Sequence, residues 1–246
     1  MDILKYFFLY GGGLLAGIMN VIGGGGSTVT LPLLIFAGLP PNYANATNRL
    51  AILCQNAVGI YTFKKNDVDT FKESLIPGIL TIIGSIAGTY LAIDLNTDVM
   101  KYVILAVLIF SVATIFFKKK IKISSSNKVG NFMKYPAFIL VGVYGGLIQA
   151  GVGFILMSVI TYFIGTSLIK TNSIKVTIVL MYTSVSFILF LINGMIYFNY
   201  GIILALGNMT GAYIAVKLSL KKGDKLIKTL LLIILAAYII NLLFFK

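Results

Sequence analysis

Two basic residues stand where apolar chain surrounds them. "ANATNRL", Ala44 to Leu50, carries Asn45, Thr47, Asn48 and Arg49, and "KTNSIKV", Lys170 to Val176, carries Asn172, Ser173 and Lys175. Each cation lies about one helical turn into an apolar segment. A cation inside a membrane segment is costly and by default marks a binding site or a path. Carboxamides beside it add hydrogen-bond donors, so the chemistry this pattern can do is hold an anion. Snorkelling of each long side chain to nearby headgroups is the plainer reading. The paired occurrence beside matched asparagines argues against it.

A second pattern points the same way. "NVIGGGGSTVTLP", Asn20 to Pro32, places Gly24, Gly25 and Gly26 before Ser27 and Thr28. A phosphate loop needs a lysine just before its hydroxyl residue and a strand in front, and neither is present. A loose linker is excluded because unpaired backbone cannot hang in lipid. The stretch therefore reads as an interrupted helix, with a new short helix starting near Ser27, a residue type suited to the N-cap. Its free N–H groups form a partly positive end inside the membrane. Pro32 adds irregularity. "YGGLIQAGVGF", Tyr144 to Phe154, repeats the break at Gly151 and Gly153, with Gln149 beside it. The backbone amides from Gly25 to Thr28 and from Gly153 to Phe154 are the expected donors to an anion. Close helix packing of small residues is the alternative use of these glycines. Tyr144, Cys54, Gln55 and Asn56 are polar enough to line a path, although each alone reads as a helix–helix hydrogen bond.

The elements that must position these residues are apolar helices. The chain has 246 residues, of which 59% are hydrophobic and 11% charged, with mean hydropathy +0.98. Soluble domains carry about a quarter charged residues. The fold class is all-α and the chain a polytopic membrane protein. Ten apolar segments are expected, at roughly 4–22, 28–38, 44–63, 74–93, 99–117, 135–150, 154–165, 171–192, 196–216 and 226–245. The second and seventh are too short for a hydrocarbon core of about 30 Å. They either cross or return as re-entrant hairpins. A shift of 127 residues aligns Gly24 with Gly151, Gly26 with Gly153, Gly38 with Gly165 and Asn45 with Asn172. This predicts two inverted-topology repeats of about five segments, 1–117 and 135–246, joined by a cytoplasmic linker loop at 118–134. With the N-terminus outside, the inside loops hold 15 of the 20 Lys and Arg residues, at Lys64–Lys72, Lys118–Lys134, Lys170 and Lys217–Lys228. The positive-inside rule selects that orientation.

Several function classes drop out. The net charge of +13 is explained by loops facing anionic lipid, so no nucleic-acid partner is expected. There is no histidine, and Cys54 is the single cysteine. All seven acids, Asp2, Asp67, Asp69, Glu73, Asp94, Asp98 and Asp224, fall in predicted loops or at a terminus. No metal site, cofactor, proton relay or catalytic constellation is expected, and the chain is not read as an enzyme.

At these residues the sequence resembles the sulfite exporter TauE/SafE family. "GIMNVIGGGGSTVTLPLLIFAGLPPNYANATN" is similar to that family's first-half motif and "GVYGGLIQAGVGF" to its second. The resemblance implies a transporter of small anions, often oxidised sulfur compounds such as sulfite, sulfoacetate or other sulfonates, in the inner membrane of a bacterium or archaeon. The matching positions are Gly24, Gly25, Gly26, Asn45, Thr47, Asn48, Gly151 and Gly153. The second half lacks a Pro-Leu pair after its glycines, and Lys175 comes from charge and spacing alone. The expected function is alternating access around a midplane site built from Gly24, Gly25, Gly26, Ser27, Thr28, Asn45, Asn48, Arg49, Gln149, Gly151, Gly153, Asn172 and Lys175. A non-transporting membrane subunit that assembles a partner complex is the alternative. A homo-oligomer is left open.

Overall fold

The structure, a computed structural model, describes the backbone at residues 2–116 and 128–244 and side chains at 4–107 and 133–221. The linker residues 117–127 lie outside the described residues. Among those described there are nine helices: α1 (Asp2–Ile22), α2 (Ser27–Phe36), α3 (Pro41–Lys64), α4 (Phe71–Asp94), α5 (Thr97–Phe116), α6 (Lys128–Leu147), α7 (Val152–Phe163), α8 (Leu168–Ile192) and α9 (Phe198–Phe244).

Local sequence accounts for most boundaries. α1 stops at Ile22 because the glycines that follow leave helical geometry, and Gly24 has φ +93°. α2 ends at Phe36, and the chain turns at Gly38, φ +109°, whose neighbour Leu39 donates its N–H back to the Leu34 carbonyl. Glycine tolerates this left-handed turn without a Cβ clash. The second break repeats the device: Gly151 has φ +75° and Gly165 φ +68°. Pro41 opens α3, where its missing N–H costs nothing. α3 and α8 begin at Pro41 and Leu168, and α4 and α9 at Phe71 and Phe198, each pair 127 positions apart.

One expectation is corrected. The segments 196–216 and 226–245 are not separate: α9 is one helix of 47 residues. The polar run between them, "KLSLKKGDKLIK", ends the apolar pattern but contains no proline, and lysine and leucine are strong helix formers. Its one glycine costs a helix only about 1 kcal/mol. At 1.5 Å per residue α9 is about 70 Å long, so the chain reversal expected near Lys217–Lys225 is not made. α6 also starts ahead of Tyr135, at Lys128, inside the stretch expected as linker.

Packing follows small residues. α1 lies along α9 and α4 along α6. A Cβ on Gly17 would sit 2.2 Å from the Asn208 carbonyl oxygen of α9, and one on Gly211 2.1 Å from the Leu14 oxygen of α1. Likewise a Cβ on Gly88 would sit 2.0 Å from the Val143 oxygen of α6, and one on Gly146 2.3 Å from the Ser85 oxygen of α4. Without hydrophobic drive between helices in lipid, such close backbone approach is what holds them. α3 packs against α8 and α9, and α8 against α4.

The distribution of polarity is inverted relative to a soluble protein. Asn45, Asn48, Arg49, Gln55, Asn172 and Lys175 are buried, whereas Phe7 is 74% exposed and Ile192 71%. An apolar exterior around a polar interior needs the bilayer as its solvent. Among the described residues four helical stretches, Leu4–Ile22, Phe71–Asp94, Leu168–Ile192 and Phe198–Lys221, are long and apolar enough to cross it. α3 has the length but carries the polar interior and is sheltered by its neighbours. α2 and α7, with 10 and 12 residues, rise only about 15 and 18 Å.

Candidate anion site at the two helix breaks

The two breaks touch. A Cβ on Gly24 would lie 2.1 Å from the Cα of Gly153, and one on Gly153 2.2 Å from the Cα of Gly24. Gly25 faces the Phe154 ring, which a Cβ there would meet at 2.7 Å. Beside this contact is a cavity of about 20 Å³ lined by Asn20, Gly24, Ile52, Gln55, Asn56, Gln149, Gly153, Lys175 and Val179. That volume suits about one water molecule. The lining draws on α1, α3, α7, α8 and both breaks.

A broken helix exposes its last four carbonyls, and each must find a donor. At the end of α6 the supply is complete. Ile148 N–H reaches the Tyr144 oxygen at 2.9 Å. Arg49 donates through Nη1 to the Gly145 oxygen at 2.6 Å and through Nη2 to the Gly146 oxygen at 2.8 Å. Asn45 Nδ2 reaches the Leu147 oxygen at 2.9 Å. Arg49 Nη1 also donates to Gln149 Oε1, and the guanidinium stands 5.5 Å from the Phe190 ring centre. At the end of α1, the Met19 oxygen accepts from the Gly23 and Gly24 amides. Lys175 Nζ serves the Asn20 and Val21 oxygens at 2.9 and 2.8 Å, and Asn172 Oδ1 at 2.9 Å. Each cation, carried by a helix of one half, therefore caps the interrupted helix of the other half.

Most of the expected site residues fall into four groups. Gly24, Gly153, Gln149 and Lys175 line the cavity. Arg49 and Asn45 do not; they sit behind it, on the end of α6. Asn172 touches the site through Lys175, and Gly151 turns the chain into α7. Ser27, Thr28 and Asn48 brace α2 instead. Asn48 donates to Ser27 Oγ at 3.2 Å and accepts from Thr30 Oγ1 at 2.8 Å.

Three of the six backbone donors expected from the α2 and α7 ends, those of Gly26, Thr28 and Phe154, are engaged. Gly26 N–H reaches Asn20 Oδ1 at 2.7 Å, Thr28 N–H the Gly25 oxygen at 3.0 Å, and Phe154 N–H the Gly151 oxygen at 3.1 Å. The N-cap of α2 is Gly26 rather than Ser27, and Asn20 supplies the side chain that holds it. Gln55 and Asn56 line the cavity although singly each reads as a packing contact. Asn20 went unnoticed among the site residues; its place three positions before a glycine run was the available signal.

Buried donors are left over beside the cations. Asn172 Nδ2 and Arg49 Nε have no partner among the described residues. Asn45 Oδ1, Thr183 Oγ1, both amide atoms of Asn208 and Ser219 Oγ are buried without partners too, although buried polar groups are nearly always paired. The described acids, Asp67, Asp69, Glu73, Asp94 and Asp98, are all exposed. Among the described residues no group of metal-binding side chains occurs.

Comparison with known proteins agrees with this picture. A "probable membrane transporter protein ORF9" from Sinorhizobium is 28% identical over 239 residues, 96% of this chain and 91% of that protein. "Probable membrane transporter protein YfcA" of Escherichia coli K12 is 25% identical, over 94% of this chain and 87% of its own. A "probable membrane transporter protein" of Haemophilus influenzae is 26% identical, over 95% and 91%. No solved structure matches the chain. The profile described as "Sulfite exporter TauE/SafE" matches residues 9–242, and this is a family of transporters rather than enzymes. The chain, a multi-pass helical membrane protein with two touching helix breaks, therefore belongs to the sulfite exporter TauE/SafE family.

Proposed function

We propose that this membrane transporter carries a small anion, with an oxidised sulfur compound such as sulfite or a sulfonate as the first candidate. One observation carries the reading: Arg49 and Lys175 are both fully enclosed, and no described acid is buried with them. A buried charge normally needs a counter-charge. An oxyanion beside Lys175 supplies it and gives Asn172 Nδ2 an acceptor as well. Lys175, Gln55, Asn56 and Gln149 meet the anion at the cavity. Arg49 raises the local potential from behind and holds Gln149 in place. The cavity is smaller than a sulfur oxyanion. Loading requires the Gly24–Gly153 contact to open.

The matched helix starts at Pro41 and Leu168, the paired left-handed glycines and the exchanged caps support two inverted repeats, 1–117 and 135–246, rocking about this contact. The lysine distribution supports an outside N-terminus in a bacterial or archaeal cell membrane. The test is flux of labelled sulfite, sulfonates and carboxylates in proteoliposomes holding the purified full chain. Saturable flux of one sulfur oxyanion is expected. Absence of flux for every anion, with the protein folded and inserted, contradicts the reading and favours a non-transporting subunit.

A further inference from the structure

The caps have a consequence for how loading is coupled to movement. Lys175 Nζ has three donors, and all three are spent, on the Asn20 and Val21 carbonyls and on Asn172 Oδ1. Two of those bonds tie α8 to the end of α1 across the interface between the halves. Arg49 ties α3 to the end of α6 in the same sense, through Gly145 and Gly146. Any rocking of one half against the other must stretch these ties. Breaking one without replacement leaves a bare cation and bare carbonyls in a buried setting, where unsatisfied groups are costly.

We infer that Lys175 and Arg49 are reciprocal latches between the two halves, and that the anion releases the α1 latch by taking over the Lys175 ammonium from the Asn20 and Val21 carbonyls. This rests on the anion-transport reading above. Lys175 is the latch that substrate can reach, because it alone of the two cations lines the cavity. Arg49 is a positioning residue: it acts on substrate through Gln149 and the α6 end. Asn172 fits the same scheme. Its Oδ1 is held by Lys175 while its Nδ2 is idle, so an oxyanion arriving at Nζ finds a second donor waiting beside it. As Lys175 turns to the anion, the freed Asn20 and Val21 carbonyls become exposed to the water that enters with the opening path.

The unloaded carrier is then held at both caps and the loaded carrier at the α6 cap alone, so loading speeds reorientation and the protein works as an exchanger. An anion leaves one side faster when another returns. This differs from simple facilitated diffusion, in which the unloaded carrier reorients as readily.

The experiment compares efflux of labelled anion from proteoliposomes with and without unlabelled anion outside. For the natural chain, outside anion should accelerate efflux by about tenfold or more, within the usual range of coupling between sites. Arg49→Lys, which keeps the charge but not the two-pronged grip on Gly145 and Gly146, should loosen the α6 latch and reduce the acceleration to less than about threefold while raising efflux into anion-free buffer. Differential scanning of the same samples checks that the variant is folded; if Arg49→Lys proves unstable, Asn45→Ala, which removes only the Leu147 tie, is measured in its place with the same expected direction. Saturable efflux that is equal with and without outside anion overturns the latch and leaves the anion-transport reading standing. No flux in either condition overturns that reading itself.

Discussion

Alanine at three glycines separates contact from backbone strain at the heart of the fold. On Gly153 the new Cβ would lie 2.2 Å from the Cα of Gly24, with backbone atoms as the nearest neighbours. Carbon atoms rest at about 3.5–4.0 Å, so the breaks must part by roughly 1 Å or more. Overpacking of that kind costs about 1–3 kcal/mol. Gly38 is the control: its φ is +109° and nothing lies within 4 Å of the Cβ position. Alanine there carries only the left-handed backbone penalty, about 1–2 kcal/mol. Gly24 combines φ +93° with a 2.1 Å clash, so Gly24→Ala should cost about 2–5 kcal/mol as the sum of the two. The assay is thermal unfolding of the purified variants together with anion flux in proteoliposomes. For a chain of this size, 1 kcal/mol moves Tm by about 2–4 °C. The expected order of stability is natural chain, then Gly38→Ala or Gly153→Ala, then Gly24→Ala. Gly153→Ala should lose most flux and Gly38→Ala should keep it. If Gly153→Ala melts and transports like the natural chain, the two breaks do not meet as described and the argument from their contact fails.

Arg49→Met should be among the most damaging substitutions in the chain. It leaves the Gly145 and Gly146 carbonyls without their main donor, at about 1–3 kcal/mol for each buried group, read as lowered Tm and yield. Asn20→Leu removes the partner of both the Gly26 amide and Gln55, and should cost about 1–3 kcal/mol with reduced flux, since the start of α2 loses its clip. Gly17→Val should split α1 from α9, because its Cβ meets the Asn208 carbonyl; loss of a cysteine cross-link engineered between those helices would report it.

Much of the fold was legible because its punctuation is local. Glycine clusters, Pro41 and the sudden polarity after Leu39 carry their own conformational preferences, so the breaks and the starts of α2, α3, α7 and α8 could be placed without tertiary information. α9 was misjudged for the opposite reason: hydropathy ended at Lys217, but helix propensity did not. The candidate site was legible only as residue types. Arg49 and Lys175 stood out by the cost of burying charge, and they are both enclosed. What each of them reaches was hidden, because the contacts Arg49–Gly145 and Lys175–Asn20 join residues on opposite halves of the chain. Asn20, Gln55 and Asn56 were weak signals for a related reason. A single amide in a helix is ordinary, and only the fold brings three of them to one cavity.

The most direct test of the central claim is anion flux through Lys175→Gln beside the natural chain in proteoliposomes of equal protein content. Glutamine keeps a hydrogen-bond donor near the Asn20 and Val21 carbonyls and removes the charge that faces the cavity. The account predicts a folded, inserted protein whose sulfur-oxyanion flux falls to the level of protein-free vesicles. Flux at the natural rate through Lys175→Gln would contradict it, because the anion would then be crossing without the cation that lines the cavity.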